Sequence, residues 1–320
     1  MELKRLLGAL AFYGRFTLSF TQVGHAVRRL AWSRLTPDLR GQHWLVTGGS
    51  GGLGRAMTLA ALRAGATVTV AARNPDRLRE IAAEAAADGL AGLDTERCDF
   101  TSTADTARLA ARLVAQGRRI DALMNNVGVL NDALVVTSEG REASFVSNLL
   151  SHYQLTEALI DGGQLASGSV VVNVTSGGGY AVPLTIAMLD VTDPARYNGT
   201  AAYAFHKRAQ MALNQHWRDA HGGRGIEFYV MHPGWADTAG VQRSLPRFRK
   251  ALRPILRDGK SGADTAVWLA ATRPAQRIHD GVWFDRKLRP AHVYGHTRQT
   301  PDTPASLADF LRSALDKGPA

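Results

Sequence analysis

The sequence predicts an α/β fold: a doubly wound parallel sheet with helices on both faces, built as a single domain. The apolar run Trp44 to Val46 has the length of a buried strand, a glycine cluster follows it, and apolar residues then recur at helical spacing. A second strand, Thr67 to Ala72, follows at the sequence separation typical of a βαβ unit. Strand and helix patterns then alternate with short connections along the rest of the chain, as a parallel, helix-covered sheet requires.

The glycine cluster between this first strand and its helix predicts a phosphate-binding turn. Glycines let backbone N–H groups approach a pyrophosphate closely, and the positive end of the helix dipole faces it. A glycine pattern alone is weak evidence, because many turns are glycine-rich for structural reasons. Here the flanking strand and helix are those that a dinucleotide site needs.

Further elements follow in chain order. They are an alanine-rich helix from Pro75 to about Ala87, a strand Leu93 to Phe100, a helix Thr101 to Gln116, a strand Ala122 to Asn126, a long helix Glu139 to Ile160, a strand Ser169 to Thr175, a helix that begins near Tyr203 and a terminal helix Ala305 to Leu315. The chain thus divides into an N-terminal helical extension (1–40), one main domain (41–290) and a C-terminal tail with a helix (291–320).

Composition limits the class of protein. The 320 residues are 45% hydrophobic, which suffices for a full core, and the formal net charge of +10 suits an anionic cofactor, substrate or surface. The arginines are scattered and no basic-aromatic module appears, so we expect no nucleic-acid partner. The single cysteine, Cys98, is interpreted as a small buried core residue, and no cysteine or histidine cluster predicts a metal site.

The N-terminal extension carries apolar residues near helical spacing with basic residues among them. Its longest stretch without a charged residue, 16–27, is too short and too polar to span a bilayer, which needs ~20 apolar residues. Two interpretations stay open. The helix packs on the domain's own surface, or it lies in a membrane interface with its basic residues at the headgroups. We therefore expect a cytoplasmic protein and leave membrane association open.

The end of the second strand bears on the choice of dinucleotide. An acidic residue there accepts hydrogen bonds from a free ribose 2′-hydroxyl, whereas an arginine pairs with a 2′-phosphate. This sequence has Ala72 where the acid would lie, followed by Arg73. The pattern favours NADP(H) over NAD(H), with a solvated surface charge as the alternative role for Arg73.

Tyr203 and Lys207 are four residues apart on a predicted helix and therefore share a face. A free tyrosine has a pKa of ~10 and is a poor proton shuttle at neutral pH. Lowering that pKa by about three units needs ~4 kcal/mol. A lysine about 5 Å away supplies ~3 kcal/mol at an effective dielectric of ~20, and an oxidised nicotinamide would supply the rest. The catalytic interpretation of this pair is strengthened because it follows Ser176 and the glycine turn in chain order. His206 lies between Tyr203 and Lys207 and is interpreted as a helix-face residue and not as a base.

Taken in order, these motifs resemble the short-chain dehydrogenase/reductase superfamily, whose members have a Rossmann-type fold. The resemblance covers about residues 41–285 and rests on Thr47-Gly48-x-x-x-Gly52-x-Gly54, Cys98-Asp99-Phe100, Asn125-Asn126-Val127-Gly128, Asn148, Ser176, Tyr203-x-x-x-Lys207 and Pro233-Gly234. Several segments, among them His232-Pro233-Gly234-Trp235 and Phe284-Asp285-Arg286-Lys287, are similar to the dehydrogenase/reductase member 12 type, a branch near the retinol dehydrogenases.

The resemblance implies four catalytic residues. Tyr203 would be the general acid in carbonyl reduction and the base in alcohol oxidation. Ser176 would hydrogen-bond the substrate oxygen as an oxyanion donor does. Lys207 would bind the nicotinamide ribose and depress the pKa of Tyr203, and Asn148 would hold a water that links Lys207 to solvent.

The resemblance also implies a set of cofactor-binding residues, to which Tyr203, Lys207 and Arg73 belong. The others are Gly48, Ser50, Gly52, Leu53 and Gly54 at the pyrophosphate, Asp99 and Phe100 at the adenine, Asn126, Val127 and Gly128 at the ribose, and Pro233, Gly234, Ala236 and Thr238 at the nicotinamide amide.

Two segments depart from the pattern or extend it. The interval from Ser176 to Tyr203 is about twice the usual length, so residues 177–200 are expected to loop out beside the substrate mouth or to form a partner surface. A substrate lid is expected at about 239–259. Its basic residues are predicted to form one helical stripe: Arg243, Arg247, Lys250, Arg253 and Arg257. Either the apolar side of the lid covers the pocket and these residues are merely solvated, or the stripe faces anionic lipid.

We therefore expect an oxidoreductase that passes a hydride between NADP(H) and a small carbonyl or alcohol substrate of lipophilic character. The alternative is a dinucleotide-binding regulatory protein without turnover. The complete set of proton-relay residues argues against it, because a pure binder needs no relay. The sequence leaves open the substrate, the direction of reaction, a homo-oligomer and a peripheral membrane contact.

Overall fold

A single eight-stranded sheet organises the computed structural model, which describes residues 14, 16–237, 242, 249, 250 and 252–316. The strands are β1 (His43–Thr47), β2 (Thr67–Ala72), β3 (Leu93–Arg97), β4 (Ala122–Asn125), β5 (Val170–Val174), β6 (Glu227–Met231), β7 (Gly281–Phe284) and β8 (Lys287–Pro290). Their order is β3-β2-β1-β4-β5-β6-β7-β8, parallel up to β7, with β8 antiparallel at the edge. The predicted single-domain, mostly parallel α/β fold is confirmed.

The helices connect these strands and cover both faces of the sheet. They are α1 (Gln22–Arg29), α2 (Gly52–Arg63), α3 (Pro75–Ala87), α4 (Thr103–Ala115), α5 (Ser151–Asp161), α6 (Gly199–His221), α7 (Gly259–Thr272) and α8 (Pro304–Asp316). Side-chain caps fix several of their starts. Asn74 accepts from the backbone of Asp76 and Arg77, and Asn198 accepts from that of Ala201, so α3 and α6 begin where an asparagine satisfies unpaired N–H groups.

The strands near the middle of the sheet alternate their side chains between two cores. On β1, Trp44 and Val46 pack into the core on one face and Leu45 into the core on the other. All five β1 residues are buried, as expected for a parallel strand covered on both sides. Cys98 also lies in a core and is 1% exposed; burial raises the pKa of its thiol to about 12. Its predicted role as a buried core residue is confirmed.

Two predicted elements differ from the structure. The third strand ends at Arg97 and does not reach Phe100. The long helix predicted from Glu139 begins instead at Ala143, because the Glu142 carboxylate accepts from the backbone N–H groups of Ser144 (2.9 Å) and Phe145 (2.6 Å). After this first turn, Val146–Leu150 form a π-helical turn that leads directly into α5.

The described part of the N-terminal extension packs on the domain. We call residues 16–30 the N-terminal arm. Phe16 and Phe20 are buried in a third apolar cluster with Tyr180 and Phe284. The outer side of the arm carries four exposed large apolar residues, Leu18, Val23, Val27 and Leu30. Within the described residues no helix combines the length and the apolar character needed to cross a bilayer.

Candidate active site

The glycine turn joins β1 to α2 and is packed too closely for side chains. Gly48 and Gly52 have φ values of 65° and 52°, in the left-handed region that favours glycine. A Cβ on Gly54 would lie 2.3 Å from the carbonyl oxygen of Gly48. No side chain caps the N-terminus of α2, so its first N–H groups are left for another acceptor. These features fit the pyrophosphate of a dinucleotide.

The two other predicted turn residues differ in how they could contact a pyrophosphate. Ser50 is half-buried in the turn itself. Leu53 is buried, and a Cβ on Gly262 would lie only 2.5 Å from its side chain. The side chain of Leu53 therefore packs between α2 and α7, and only its backbone is available to a phosphate.

Thr47 and Asn126 lock this turn to the end of β4. The Thr47 hydroxyl donates to the carbonyl of Met124 (3.1 Å) and accepts from the backbone N–H of Asn126 (2.9 Å) and of Val127 (3.1 Å). The Asn126 side chain donates back to the carbonyl of Thr47 (2.8 Å). The predicted ribose-side residues thus lie directly against the predicted pyrophosphate residues.

Arg73 and Asp99 meet at the ends of β2 and β3. An Arg73 guanidinium nitrogen lies 3.9 Å from a carboxylate oxygen of Asp99, and 62% of the Arg73 side chain is exposed. Asp99 also accepts from the backbone and the hydroxyl of Thr101. Phe100, predicted beside the adenine, has its side chain in the core at 4% exposure, so only its backbone could contact a nucleotide.

Ser176, Tyr203 and Lys207 come together as predicted from the sequence. Ser176 follows the end of β5, and the tyrosine and lysine lie on the same face of α6. The Ser176 and Tyr203 side chains share a hydrogen bond. The Lys207 ammonium nitrogen is 5.5 Å from the centre of the Tyr203 ring. A proton donor and an oxyanion donor therefore lie beside each other, with a lysine behind them.

The pKa values of Tyr203 and Lys207 are both shifted by burial. Burial raises the pKa of Tyr203 and the hydrogen bond with Ser176 lowers it, and the net shift is upward. Burial also lowers the pKa of Lys207 to about 7. Lys207 is not among the causes of the Tyr203 shift, so its lowering of the Tyr203 pKa, together with an oxidised nicotinamide, stays a prediction.

Asn148 lies in the π-helical turn and is held at both ends of its side chain. Its amide oxygen accepts from the backbone N–H of Val129 (2.7 Å), and its amide nitrogen donates to the carbonyl of the same residue (2.8 Å). Gly128 lies close to both Lys207 and Asn148, since a Cβ there would be 3.2 Å from the Lys207 nitrogen and 3.5 Å from the Asn148 amide oxygen. The backbone carbonyl of Asn148 accepts from the side chain of Gln210 (2.6 Å), a residue that the sequence analysis missed.

His206 belongs to the interior of the site and not to an exposed helix face. One ring nitrogen is 2.8 Å from the carbonyl oxygen of Leu189 and the other is 3.4 Å from the side-chain nitrogen of Asn148. Burial lowers the pKa of His206 to about 4, so its imidazole is neutral. The buried Glu142 carboxylate accepts from Tyr197 (3.2 Å) and lies 3.9 Å from His206. No spacing of residues along the chain predicts this cluster.

The segment 177–200 does not loop out, contrary to the sequence-based expectation. Tyr180, Leu184 and Leu189 are 3%, 4% and 1% exposed. Short 3₁₀ turns at Gly177–Tyr180 and Ile186–Met188 fold the segment back onto the domain. Its apolar residues fill space between α6, α8 and the N-terminal arm, which explains the extra length.

Pro233, Gly234 and Ala236 lie after β6 in what we call the Pro233 loop, residues 232–237. Gly234 has a φ of 78°, and a Cβ there would lie 2.3 Å from the Arg257 side chain. Ala236 pairs with Arg257 in an isolated bridge. Thr238, the fourth residue predicted at the nicotinamide amide, lies outside the described residues.

Arg257 does not belong to an exposed basic stripe, which corrects the sequence prediction. It is 1% exposed and pairs with Asp285 through both terminal guanidinium nitrogens, at 2.6 and 2.9 Å. Its remaining N–H groups donate to the carbonyls of Phe20, Pro233 and Ser19. Lys250 and Arg253 are exposed, whereas Arg243 and Arg247 lie outside the described residues.

A second arginine completes this cluster. Arg28 donates to Asp285 at 2.6 Å, and the Arg28 and Arg257 guanidinium groups each lie 5.0 Å from the centre of the Phe284 ring. The N-terminal arm, the Pro233 loop and the end of β7 are therefore joined around one buried carboxylate. Asp237 in the Pro233 loop also forms an ion pair, with Arg249 at 2.8 Å.

The chain is similar to known proteins over nearly its whole length. A family model described as short chain dehydrogenase matches residues 42–247. The Bos taurus protein named Dehydrogenase/reductase SDR family member 12 is 30% identical, over 96% of this chain and 97% of that protein. Human retinol dehydrogenase 14 is 26% identical, over 83% of this chain and 84% of that protein. The Pseudomonas aeruginosa structure titled RhlG/NADP active-site complex has a TM-score of 0.62 at 24% identity, and the match covers 78% of this chain and 96% of that one.

Proposed function

The chain belongs to the short-chain dehydrogenase/reductase family, and on this premise we propose that it moves a hydride between NADP(H) and a lipophilic carbonyl or alcohol. The family makes it an oxidoreductase that binds a nicotinamide dinucleotide. One observation carries the proposal for catalysis: Ser176 and Tyr203 share a hydrogen bond beside Lys207. A dinucleotide-binding protein without turnover has no need for this arrangement.

Each of these side chains has a chemical role in the proposed reaction. The bound nicotinamide would supply or accept the hydride. In carbonyl reduction Tyr203 would donate its hydroxyl proton to the substrate oxygen, and Ser176 would donate a hydrogen bond to the same oxygen. The Lys207 ammonium would stabilise the tyrosinate that remains.

The preference for NADP(H) rests on Arg73. Its side chain is mostly exposed at the end of β2, and its separation of 3.9 Å from Asp99 is longer than a hydrogen bond. A guanidinium held this loosely can turn to a 2′-phosphate and form charge-assisted hydrogen bonds. Ala72 supplies no carboxylate to accept from a free 2′-hydroxyl.

A cofactor and substrate panel tests this proposal. NADPH and NADH oxidation would be followed with aldehydes, ketosteroids, retinoids and acyl carbonyls, and NADP⁺ reduction with the corresponding alcohols. We expect turnover with NADPH or NADP⁺ on at least one apolar substrate. Tight NADPH binding without turnover on any class would instead support the regulatory dinucleotide-binding protein.

The lipophilic substrate is proposed because the N-terminal arm presents an apolar face next to the site. Val23, Val27 and Leu30 recur at helical spacing and are 47%, 64% and 88% exposed. The buried side of the arm lies next to Gly177, the residue that follows Ser176. A Cβ on Gly177 would lie 2.9 Å from the Phe20 ring. We propose that this face, flanked by the exposed Arg29, rests on an anionic lipid surface from which the substrate enters.

Vesicle co-sedimentation tests the lipid contact. The intact chain would be compared on phosphatidylglycerol and phosphatidylcholine vesicles with a variant that changes Leu18, Val23, Val27 and Leu30 to serine. Val135 and Val136 are 49% and 47% exposed elsewhere, so their double change to serine is a matched control. We expect only the arm variant to lose binding. An intact chain that stays in the supernatant at low salt contradicts the proposal.

A further inference from the structure

We infer that Gln210 is a positioning residue of the active site: its side-chain amide joins the Lys207 ammonium directly to the backbone carbonyl of Asn148. The amide oxygen is 3.1 Å from the Lys207 nitrogen, and the amide nitrogen is 2.6 Å from the Asn148 oxygen. This inference rests on the proposed function. It replaces the water that the family resemblance places between Asn148 and Lys207 with a side chain of the protein.

The bridge is enclosed on every side. Gln210, Lys207 and Asn148 are 2%, 3% and 0% exposed. Lys207 also donates to the carbonyl of Val174 at 2.9 Å. An ammonium has three N–H donors, and Val174 and Gln210 accept from two of them.

Only one orientation of the Gln210 amide suits its neighbours. Its nitrogen lies 2.6 Å from the Asn148 carbonyl, which can only accept, while its oxygen faces an ammonium. The reversed amide would place its NH₂ group against the ammonium and its oxygen against a carbonyl oxygen. Both contacts would then be repulsive, so the hydrogen-bonding chemistry fixes the orientation.

This bridge has a consequence that a water would not have. A water can accept a proton on one side and release another on the opposite side. The Gln210 amide accepts from Lys207, but its own N–H donates to a carbonyl that has no proton to exchange. Gln210 therefore holds the lysine in place and favours its charged form, and it closes the inward route for proton exchange. Exchange must then occur through the substrate mouth, at the Tyr203 and Ser176 hydroxyls.

The groups around the lysine make its charge sensitive to this one acceptor. The titratable groups that face it are Tyr203 and His206 on α6 and His152 on the neighbouring α5. Burial lowers the pKa of His152 to about 3 and that of His206 to about 4, so both rings are neutral. With no carboxylate among these groups, the acceptors on Val174 and Gln210 are what favour the ammonium.

A lysine titration tests the bridge without requiring turnover. The chain has only six lysines, so selective labelling of the lysine ε-carbon with ¹³C gives a simple NMR spectrum in which a Lys207→Arg variant assigns the buried signal. We expect Gln210→Leu to lower the Lys207 titration midpoint by about one pH unit, because one hydrogen bond to the charged form is lost. Gln210→Glu should move the midpoint upward, because it places an acidic group beside the ammonium.

Gln164→Leu is the matched control, since Gln164 is also buried, at 6% exposure, but contacts none of these residues. It should leave the midpoint unchanged. If Gln210→Leu also leaves it unchanged, or if both Gln210 variants move it in the same direction, the inference is wrong. Should Gln210→Leu fail to fold, the Gln210→Glu spectrum decides by the direction of its shift.

Kinetics then separate this inference from the proposed function. In alcohol oxidation, the pH at which kcat rises should increase by about one unit in Gln210→Leu, with NADPH affinity unchanged in a fluorescence titration. A chain that turns over no substrate but shows the NMR shifts would refute the proposed function and leave the bridge intact. A chain that is active but shows no NMR shift would support the proposed function and refute the Gln210 bridge.

Discussion

The glycine turn at residues 47–54 and the Pro233 loop both pack against the start of α7, but different kinds of contact hold them. The turn is fixed by hydrogen bonds within its own βαβ unit and by Asn126, at the end of the adjacent strand. The Pro233 loop is fixed by Arg257, Asp285 and the N-terminal arm, whose contacts span up to 257 residues. The first region follows from a local motif, and the second exists only when distant segments meet.

The largest effect is expected at Tyr203, which lies in neither region but on α6. Tyr203→Phe removes the proposed general acid but keeps the ring, so turnover should fall by at least ~100-fold while NADPH binding changes little. Steady-state rates and a fluorescence titration measure the two quantities. Tyr153→Phe, a buried tyrosine stacked on Trp217, is the control. Retention of more than a tenth of the wild-type turnover would remove Tyr203 from the mechanism.

The next largest effect is expected in the cluster of Arg257, Asp285 and Arg28, whose contacts join distant segments of the chain. Arg257→Met leaves the Asp285 carboxylate buried with Arg28 as its remaining partner. Removing one partner of a buried ion pair costs about 3–5 kcal/mol, so the free energy of unfolding in urea should fall by that order. Arg253→Met, at an exposed position nearby, should be close to neutral. Equal losses in the two variants would show that the buried cluster has no special role in stability.

The same cluster predicts how stability depends on pH. Burial raises the pKa of Asp285, but the hydrogen bonds and charges of Arg257 and Arg28 outweigh it and hold the pKa below its usual value. Stability from this carboxylate is therefore present above its unfolded pKa of about 4 and is lost as pH falls through the lower folded value. Urea unfolding at a series of pH values below 5 should show this loss in the wild type and a smaller one in Arg257→Met.

Substitutions at Gly54 and Gly51 test whether the glycine turn depends on local packing. Gly54→Ala places a Cβ 2.3 Å from the Gly48 carbonyl, so we expect ~3 kcal/mol lower stability and weaker binding of NADPH and NADH alike. Gly51 is three residues away, with an extended φ of −155° and no atom within 4 Å of an added Cβ. Gly51→Ala should therefore be neutral. Equal behaviour of the two variants would contradict the close packing described for the turn.

The smallest effect concerns the choice of cofactor. Arg73→Ala should weaken NADPH by ~2 kcal/mol, the value of a charge-assisted hydrogen bond, and leave NADH nearly unchanged. Arg77→Ala, an exposed arginine one helical turn away, is the control for loss of surface charge. Titrations of both cofactors against both variants give the answer. Similar losses for NADPH and NADH would mean that Arg73 is only a surface charge.

The contrast also explains which parts of the molecule the sequence could predict. The glycine turn and the Tyr203–Lys207 pair were predictable because short spacings on one strand, turn or helix encode them. Gln210 carries the same helical spacing, three residues after Lys207, and could have been found by asking which side chains share that face.

Arg257 and Phe20 could not have been found in this way. The lid arginines recur at helical spacing, and spacing alone cannot distinguish a solvated guanidinium from one that is buried against a distant carboxylate. Only the fold shows that Arg257 lies opposite Asp285. The apolar content of residues 177–200 was visible in the sequence, but the space that it fills is created by α6, α8 and the N-terminal arm.

The cluster around Asp285 also sets an order of events during synthesis of the chain. Arg28 leaves the ribosome 257 residues before its partner, and Phe20 leaves 237 residues before Arg257. The N-terminal arm therefore has no partners while the glycine turn and its strands are already complete. Contacts of such long sequence separation form slowly, because the closure of a long loop precedes any gain from the contact. The glycine turn and its strands can therefore fold first. The N-terminal arm is synthesised before them but docks last, when Arg257 and Asp285 are in place.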